Sequence, residues 1–313
     1  MEAVVNEPAL PTLLPVPALD EERTLVTMTV FTDPLCPWAY SFEPVLRTVE
    51  ARYGAQLRWR TVLIGLVETV AETLARGSTA EGRAQSARRF RRFGMPITPH
   101  VRSRPIASGP ACRFVLAARR QGEHLGAPLL RLLRFAWFTT DLLLDEADGL
   151  RAVGRRVTGL DVERALADLD GVDVLAEYGR SREVARRPSP VAVALRRTAR
   201  SDGPERYTAP SLLLAGSDGR EVVVPGFQPF EAVDVALVNL EPSLVRAAPP
   251  ADVAEAIAAA PYGLTTQEAA RVLADTTTPP DADAAESELL ALAASGRATR
   301  FALGDDALWT LAA

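Results

Sequence analysis

Cys36 is the residue of this sequence best placed to do chemistry. It follows the apolar, β-branched run Thr24-Leu-Val-Thr-Met-Thr-Val-Phe31 and the turn that opens at Asp33. It precedes Pro37 and a segment, 39–51, in which Phe42, Val45, Leu46 and Val49 recur at helical spacing. A thiol between a strand and the first turn of a helix meets unpaired backbone N–H groups and the positive end of the helix dipole, and both favour the thiolate. Pro37 suits the first helical position because it has no N–H to lose. The expectation is therefore a Cys36 pKa below the free-thiol value of about 8.5, and a nucleophile for disulfides, oxidants or electrophiles. The competing reading is a small buried hydrophobe. Asp33 reads as a turn residue, with tuning of the thiol as the alternative. Trp38 reads as a partly exposed hydrophobic contact beside the sulfur.

Few other side chains offer chemistry. Cys112, in Gly109-Pro-Ala-Cys-Arg-Phe-Val-Leu-Ala-Ala118, reads as the start of a core-packed helix; resolving a mixed disulfide on Cys36 is its less favoured role. His100 and His124 lie outside any metal-ligand spacing, so no metal site is expected. There is neither a glycine-rich phosphate loop nor a Gly-x-Ser-x-Gly elbow. Residues 82–105 carry seven arginines, Arg83 to Arg104, and no acid. They read as a solvated face or as a patch for an acidic partner or an anionic thiol.

Composition narrows the class. The 313 residues are 48% hydrophobic with a net charge of −5, as in an ordinary globular protein. All basic charge is arginine, which reads as genomic base composition. Nothing in the charge calls for nucleic acid or an anionic membrane, and no run of about 18 apolar residues predicts a membrane span. The segment 1–23 lacks a basic start and is broken by Pro8, Pro11, Pro15 and Pro17. It reads as a disordered leader and not a signal peptide, which makes the cytoplasm the expected compartment. Two cysteines in a reducing compartment make no disulfide framework.

The elements that must position Cys36 follow in order. Strands are expected over 25–32 and 57–65, with a helix between them. Residues 67–200 read as a helical insert without a convincing strand. Ser211-Leu-Leu-Leu-Ala215 and Glu221-Val-Val-Val224, joined by Gly216-Ser-Asp-Gly219, read as a hairpin, and a helix follows over 230–240. This predicts an α/β fold, a mixed sheet with an inserted helical subdomain, over about 24–245. After Pro249-Pro250, residues 250–313 read as three helices and a short hairpin, a small winged-helix-like unit. Thr265-Thr-Gln-Glu268 is a capping-box pattern. Its expected core holds Ile257, Leu264, Val272, Leu273, Leu289, Leu292 and Trp309. Three arginines against ten acids give the unit a charge of −7, which excludes DNA and favours a protein partner.

The segment Phe31-Thr-Asp-Pro-Leu-Cys-Pro-Trp-Ala-Tyr-Ser-Phe-Glu-Pro-Val-Leu46 resembles the active-site region of DsbA-family oxidoreductases, especially their cytoplasmic FrnE-like branch. Tyr207-Thr-Ala-Pro-Ser-Leu-Leu-Leu214 is similar to the strand that carries that family's cis-proline, and Gly226-Phe-Gln-Pro-Phe230 to the lead into its last helix. The resemblance covers about 24–240 and implies a thioredoxin-like, DsbA-type fold. It also implies a catalytic Cys36, a cis Ala209–Pro210 bond, and substrate contacts at Pro37, Trp38, Ala209 and Pro210. The family's second cysteine would fall at position 39, where this chain has Ala39. Without a second thiol the site cannot resolve its own mixed disulfide. Three outcomes stay open: a monothiol released by a small thiol such as glutathione or mycothiol; a different thiol-dependent reaction; or lost catalysis with the fold kept as a binding surface. The implied partner is a protein or small-thiol substrate at Cys36. The order of a thioredoxin-like domain and a small C-terminal unit is also similar to bacterial adaptors that deliver a transcription factor to the Clp protease.

Overall fold

The computed structural model describes residues 10–14, 24–200, 203, 205–275 and 278–312. Strand β1 (Val26–Thr32) is followed by helices α1 (Pro37–Ser41) and α2 (Glu43–Tyr53) and by strand β2 (Leu57–Leu63). Eight helices come next: α3 (Val70–Ala75), α4 (Ala80–Arg88), α5 (Gly109–Gln121), α6 (Gly126–Thr139), α7 (Ala147–Gly154), α8 (Val162–Ala167), α9 (Val172–Ala185) and α10 (Pro190–Ala194). Two short strands, β3 (Thr198–Ala199) and β4 (Arg206–Tyr207), lead to β5 (Ser211–Gly216), β6 (Glu221–Val224) and helix α11 (Phe230–Leu240).

The central sheet has the order β2-β1-β5-β6. β1 runs parallel to β2 and antiparallel to β5, which pairs with β6 as the expected hairpin. The fold is the expected thioredoxin-like, DsbA-type mixed sheet with a helical insert. Val26, Met28 and Val30 of β1 point to one face, where they meet Leu46 and Val49 of α2 and Val233 and Leu237 of α11. Period-2 alternation puts Phe31 on the other face, with Ile64, Ala185 of α9 and Ala192 of α10. The insert has its own core, built on Phe114, Val115, Leu132, Leu133 and Phe135 of α5 and α6.

Three sequence expectations change. The helix over 39–51 is broken: α1 ends at Ser41 and α2 starts at Glu43, because Pro44 can neither donate to nor pack against the carbonyl four residues back. The span 67–200 ends in a strand after all, since Thr198 and Ala199 pair with Tyr207 and Arg206. Of the expected leader, residues 1–9 and 15–23 lie outside the described residues, but Leu10, Pro11 and Leu13 are buried. Leu13 bridges to Val157, its N–H donates to Arg156 O at 2.8 Å, and Leu10 and Leu13 are buried in the insert's core. Two leucines with apolar surface to hide outweigh the prolines around them.

The C-terminal unit comprises α12 (Val253–Ala258), β7 (Leu264–Thr265), α13 (Thr266–Leu273), α14 (Ala282–Ala294) and the hairpin β8 (Ala298–Leu303) and β9 (Asp306–Leu311). Its sheet has the order β7-β9-β8. Six of the seven expected core residues are buried; Leu273 is half-buried. The Thr265–Glu268 capping box is formed in both directions. The unit is locked to the rest of the chain. Arg131 of α6 forks onto Glu268 at 2.6 and 2.8 Å with both side chains buried, and Arg52 of α2 donates to the carbonyls of Val272 and Ala274 at 2.9 and 3.0 Å. Although burial opposes a charged carboxylate, Arg131 holds Glu268 below the usual carboxylate range. Among the described residues, no helix is long and apolar enough to cross a membrane.

Candidate thiol site beside the central strands

Cys36 is the N-cap of α1 in extended backbone conformation, with Pro37 at the first helical position. The turn before it is held by Asp33. One carboxylate oxygen of Asp33 accepts from Leu35 N at 2.9 Å; the other accepts from Leu66 N at 2.9 Å and Ser108 Oγ at 2.8 Å. This fully buried side chain is the expected turn residue, and it also ties the Cys36 loop to the loop after β2 and to the start of α5.

The thiol faces the loop that leads into β5. Sγ of Cys36 donates to Ala209 O at 3.3 Å, and the Ala209–Pro210 peptide is cis. Cys36, Ala39, Tyr207 and Ala209 are buried together with Phe31 and Ile64. Cys36 and Pro210, distant in sequence, are thus neighbours in space. Trp38 lies outside this buried group, 41% exposed, with its ring 4.9 Å from Phe90, 5.6 Å from Phe93 and 5.6 Å from Phe227. These three partners escaped the sequence reading, although Phe227 lies in the quoted Gly226-Phe-Gln-Pro-Phe230 segment. Aromatic residues 52, 55 and 189 positions from Trp38 give no local signal of contact.

The expected lowering of the Cys36 pKa is overturned. Burial pushes the thiol up to about 11, and the nearby Asp33 charge adds to the rise. The N–H groups of Ala39 and Trp38 and the Arg134 cation do pull the other way, as a helix start should, but desolvation outweighs them. Cys36 is therefore a neutral hydrogen-bond donor at rest. Cys112 is also buried and raised, chiefly by burial; its Sγ points at Asp33 Oδ2 at 3.7 Å from within the insert's core. Both cysteines are free and their sulfurs have different partners.

Arg88, Arg89, Arg91 and Arg92 of the arginine run are exposed, while Arg83, Arg102 and Arg104 are partly buried. Arg102 stacks on Trp137 at 3.8 Å and donates to the carbonyls of Trp137, Thr140 and Leu142. Arg104 pairs with Asp145 and Glu146, and Arg91 with Asp305. A small cavity of about 100 Å³ beside Pro37 is edged by Arg83, His100 and Arg102. Among the described residues, no group of histidine, cysteine and carboxylate side chains is arranged to hold a metal ion.

The thioredoxin family model matches residues 29–186, half of the chain, from β1 to the end of α9. The chain is 33% identical over 157 residues to a ClpXP adapter protein, SpxH, of Halalkalibacterium halodurans, covering 48% of this chain and 50% of that protein. It spans about half the length of the curated relatives it matches. A solved structure from Nitrosomonas europaea, whose proposed assignment is protein disulfide isomerase, is similar with a TM-score of 0.52 at 16% identity, over 69% of this chain and 97% of that one. The cytosolic disulfide reductase DsbM of Pseudomonas aeruginosa aligns with a TM-score of 0.48 at 21% identity, over 69% of this chain and all of that one. With the matched segment running through Cys36 and the strand-and-insert order in place around it, the chain belongs to the thioredoxin family and has its DsbA-like fold.

Proposed function

We propose that the protein is a monothiol member of the DsbA-like oxidoreductases, of the FrnE-like cytoplasmic branch, acting on protein or small-molecule disulfides through Cys36. The observation that carries this reading is the 3.3 Å contact between Cys36 Sγ and Ala209 O beside Pro210. An extended substrate segment that donates a backbone N–H to Ala209 O takes the thiol's place there and frees the sulfur. With a pKa of about 11, only about one thiol in ten thousand is ionised at pH 7, so the resting site is slow until that displacement occurs. The freed thiolate attacks one sulfur of the disulfide, and the other leaves as a thiol. Ala39 stands where the family's resolving cysteine would be. The mixed disulfide on Cys36 therefore waits for an external thiol, glutathione or mycothiol, which attacks the partner's sulfur and returns Cys36 reduced. Pro37, Trp38, Ala209 and Pro210 form the contact surface, and the arginines beside Pro37 favour an anionic thiol.

A second reading, a non-catalytic ClpXP-type adapter, is favoured by the closed, neutral thiol and by the name carried by the curated relatives. Trapping separates the two. Extract treated with the protein and quenched with acid is expected to yield Cys36 mixed disulfides by mass spectrometry, lost in Cys36→Ser and cleared by added glutathione or mycothiol. Partners retained equally by Cys36→Ser, with no adduct on the wild-type chain, would establish the adapter reading instead.

A further inference from the structure

A cavity of about 490 Å³ lies between β1 and β2, helices α2 and α6, and the loop of the C-terminal unit at Pro261 and Tyr262. Cys36, Trp38, Ala209 and Pro210 are not in its lining, so it is a separate site. Its size is that of a small-molecule pocket. Val30, Leu46, Trp59, Leu130 and Tyr262 supply an apolar wall. The polar lining is cationic: Arg47, Arg58, Arg119, Arg131 and Arg134 face Glu43, Glu50 and Glu123.

Four of these arginines are anchored at a terminal nitrogen: Arg47 on Glu50, Arg119 on the Thr61 carbonyl, Arg131 on Glu268 and Arg134 on Glu43. Glu43 alone serves three of them, bonding Arg134 and lying 3.6 Å from Arg131 and 3.8 Å from Arg47. Arg131 and Arg134 are nearly fully buried, and the buried Nε atoms of Arg47, Arg119, Arg131 and Arg134 have no hydrogen-bond partner among the described residues. Half of the eight such side-chain atoms of the described residues cluster at this one cavity. Guanidinium donors left over beside an apolar wall fit an anion with an apolar body. The excess of positive charge is small once Glu268 is set against Arg131, which matches one negative charge better than two.

We propose that this cavity binds a small amphipathic carboxylate, its acid group among the arginines and its apolar body against Leu46, Trp59 and Leu130. The site joins the DsbA-like domain to the C-terminal unit, so its occupancy bears on how firmly Tyr262 and its loop are held.

Calorimetric titration of the full chain with dodecanoate, below its micelle concentration, tests this. Saturable binding at one site is expected, with 1-dodecanol and dodecyltrimethylammonium at least about tenfold weaker because they lack the charge that the arginines recognise. Ala127→Trp, at an exposed position of the lining, should weaken dodecanoate at least about tenfold by filling the cavity, with an unchanged melting temperature. Arg119→Gln should weaken dodecanoate and leave dodecanol as it was. Cys36→Ser should bind as wild type, which keeps this site apart from the thiol chemistry. Equal binding of the acid and the alcohol, unimpaired binding by Ala127→Trp, or no saturable binding to the wild-type chain would overturn the proposal.

Discussion

The thiol of Cys36 and the carbonyl of Ala209, 173 residues apart in sequence, meet at 3.3 Å beside the ends of the two central strands, β1 and β5. The burial around that contact decides the resting state of the thiol more than the helix start does.

The pH dependence of Cys36 follows. Alkylation by iodoacetamide is expected to stay slow through pH 8 and to climb towards about 11, with Cys112 slower still because it is wholly buried. The folded-state pKa lies above the unfolded value of about 8.5, so the stability gained by burying a neutral thiol is complete below that value and falls as pH rises towards 11. A rate plateau reached by pH 8 would refute this assignment.

Adding a second thiol is the most direct test of position 39. Ala39 is buried beside Cys36 and three residues on, where helical geometry sets Cα atoms about 5 Å apart, within disulfide range. Ala39→Cys should form an intramolecular disulfide under mild oxidation. In an insulin-precipitation assay it should exceed the wild-type protein by at least about tenfold, because the new thiol resolves the mixed disulfide internally.

The pair between Arg131 and Glu268 should hold the C-terminal unit in place. Arg131→Leu leaves Glu268 buried without its cation and should cost about 3–5 kcal/mol in urea denaturation. The depressed Glu268 pKa gives stability that is present above the unfolded glutamate value of about 4.3 and is lost as pH falls through the lower folded value. Limited proteolysis near Pro249 should therefore accelerate below about pH 4, and much less so in Glu268→Gln.

Leu13 offers a test far from the site. It is 3% exposed within the insert's core, so Leu13→Ala should destabilise the chain by about 2–3 kcal/mol, read by thermal unfolding, while Cys36 alkylation is unchanged.

Local pattern determined a good part of this protein. Alternating and continuous apolar runs marked β1, β2 and the hairpin β5–β6, because a strand's faces are written two residues apart. The capping box at Thr265 and the placement of Cys36 at a helix start were equally legible, since each is a contact between near neighbours in the chain. Tertiary structure alone decided the rest. The direction of the Cys36 pKa depended on Phe31, Ile64, Tyr207 and Ala209 closing around the sulfur, and burial by distant residues leaves no mark on the local sequence. The use of Arg102 against Trp137, the aromatic seat of Trp38 and the lock between Arg131 and Glu268 are likewise long-range pairings. An arginine has the same local signature in solvent and in a buried fork. Which one it occupies is settled only when the chain brings its partner to it.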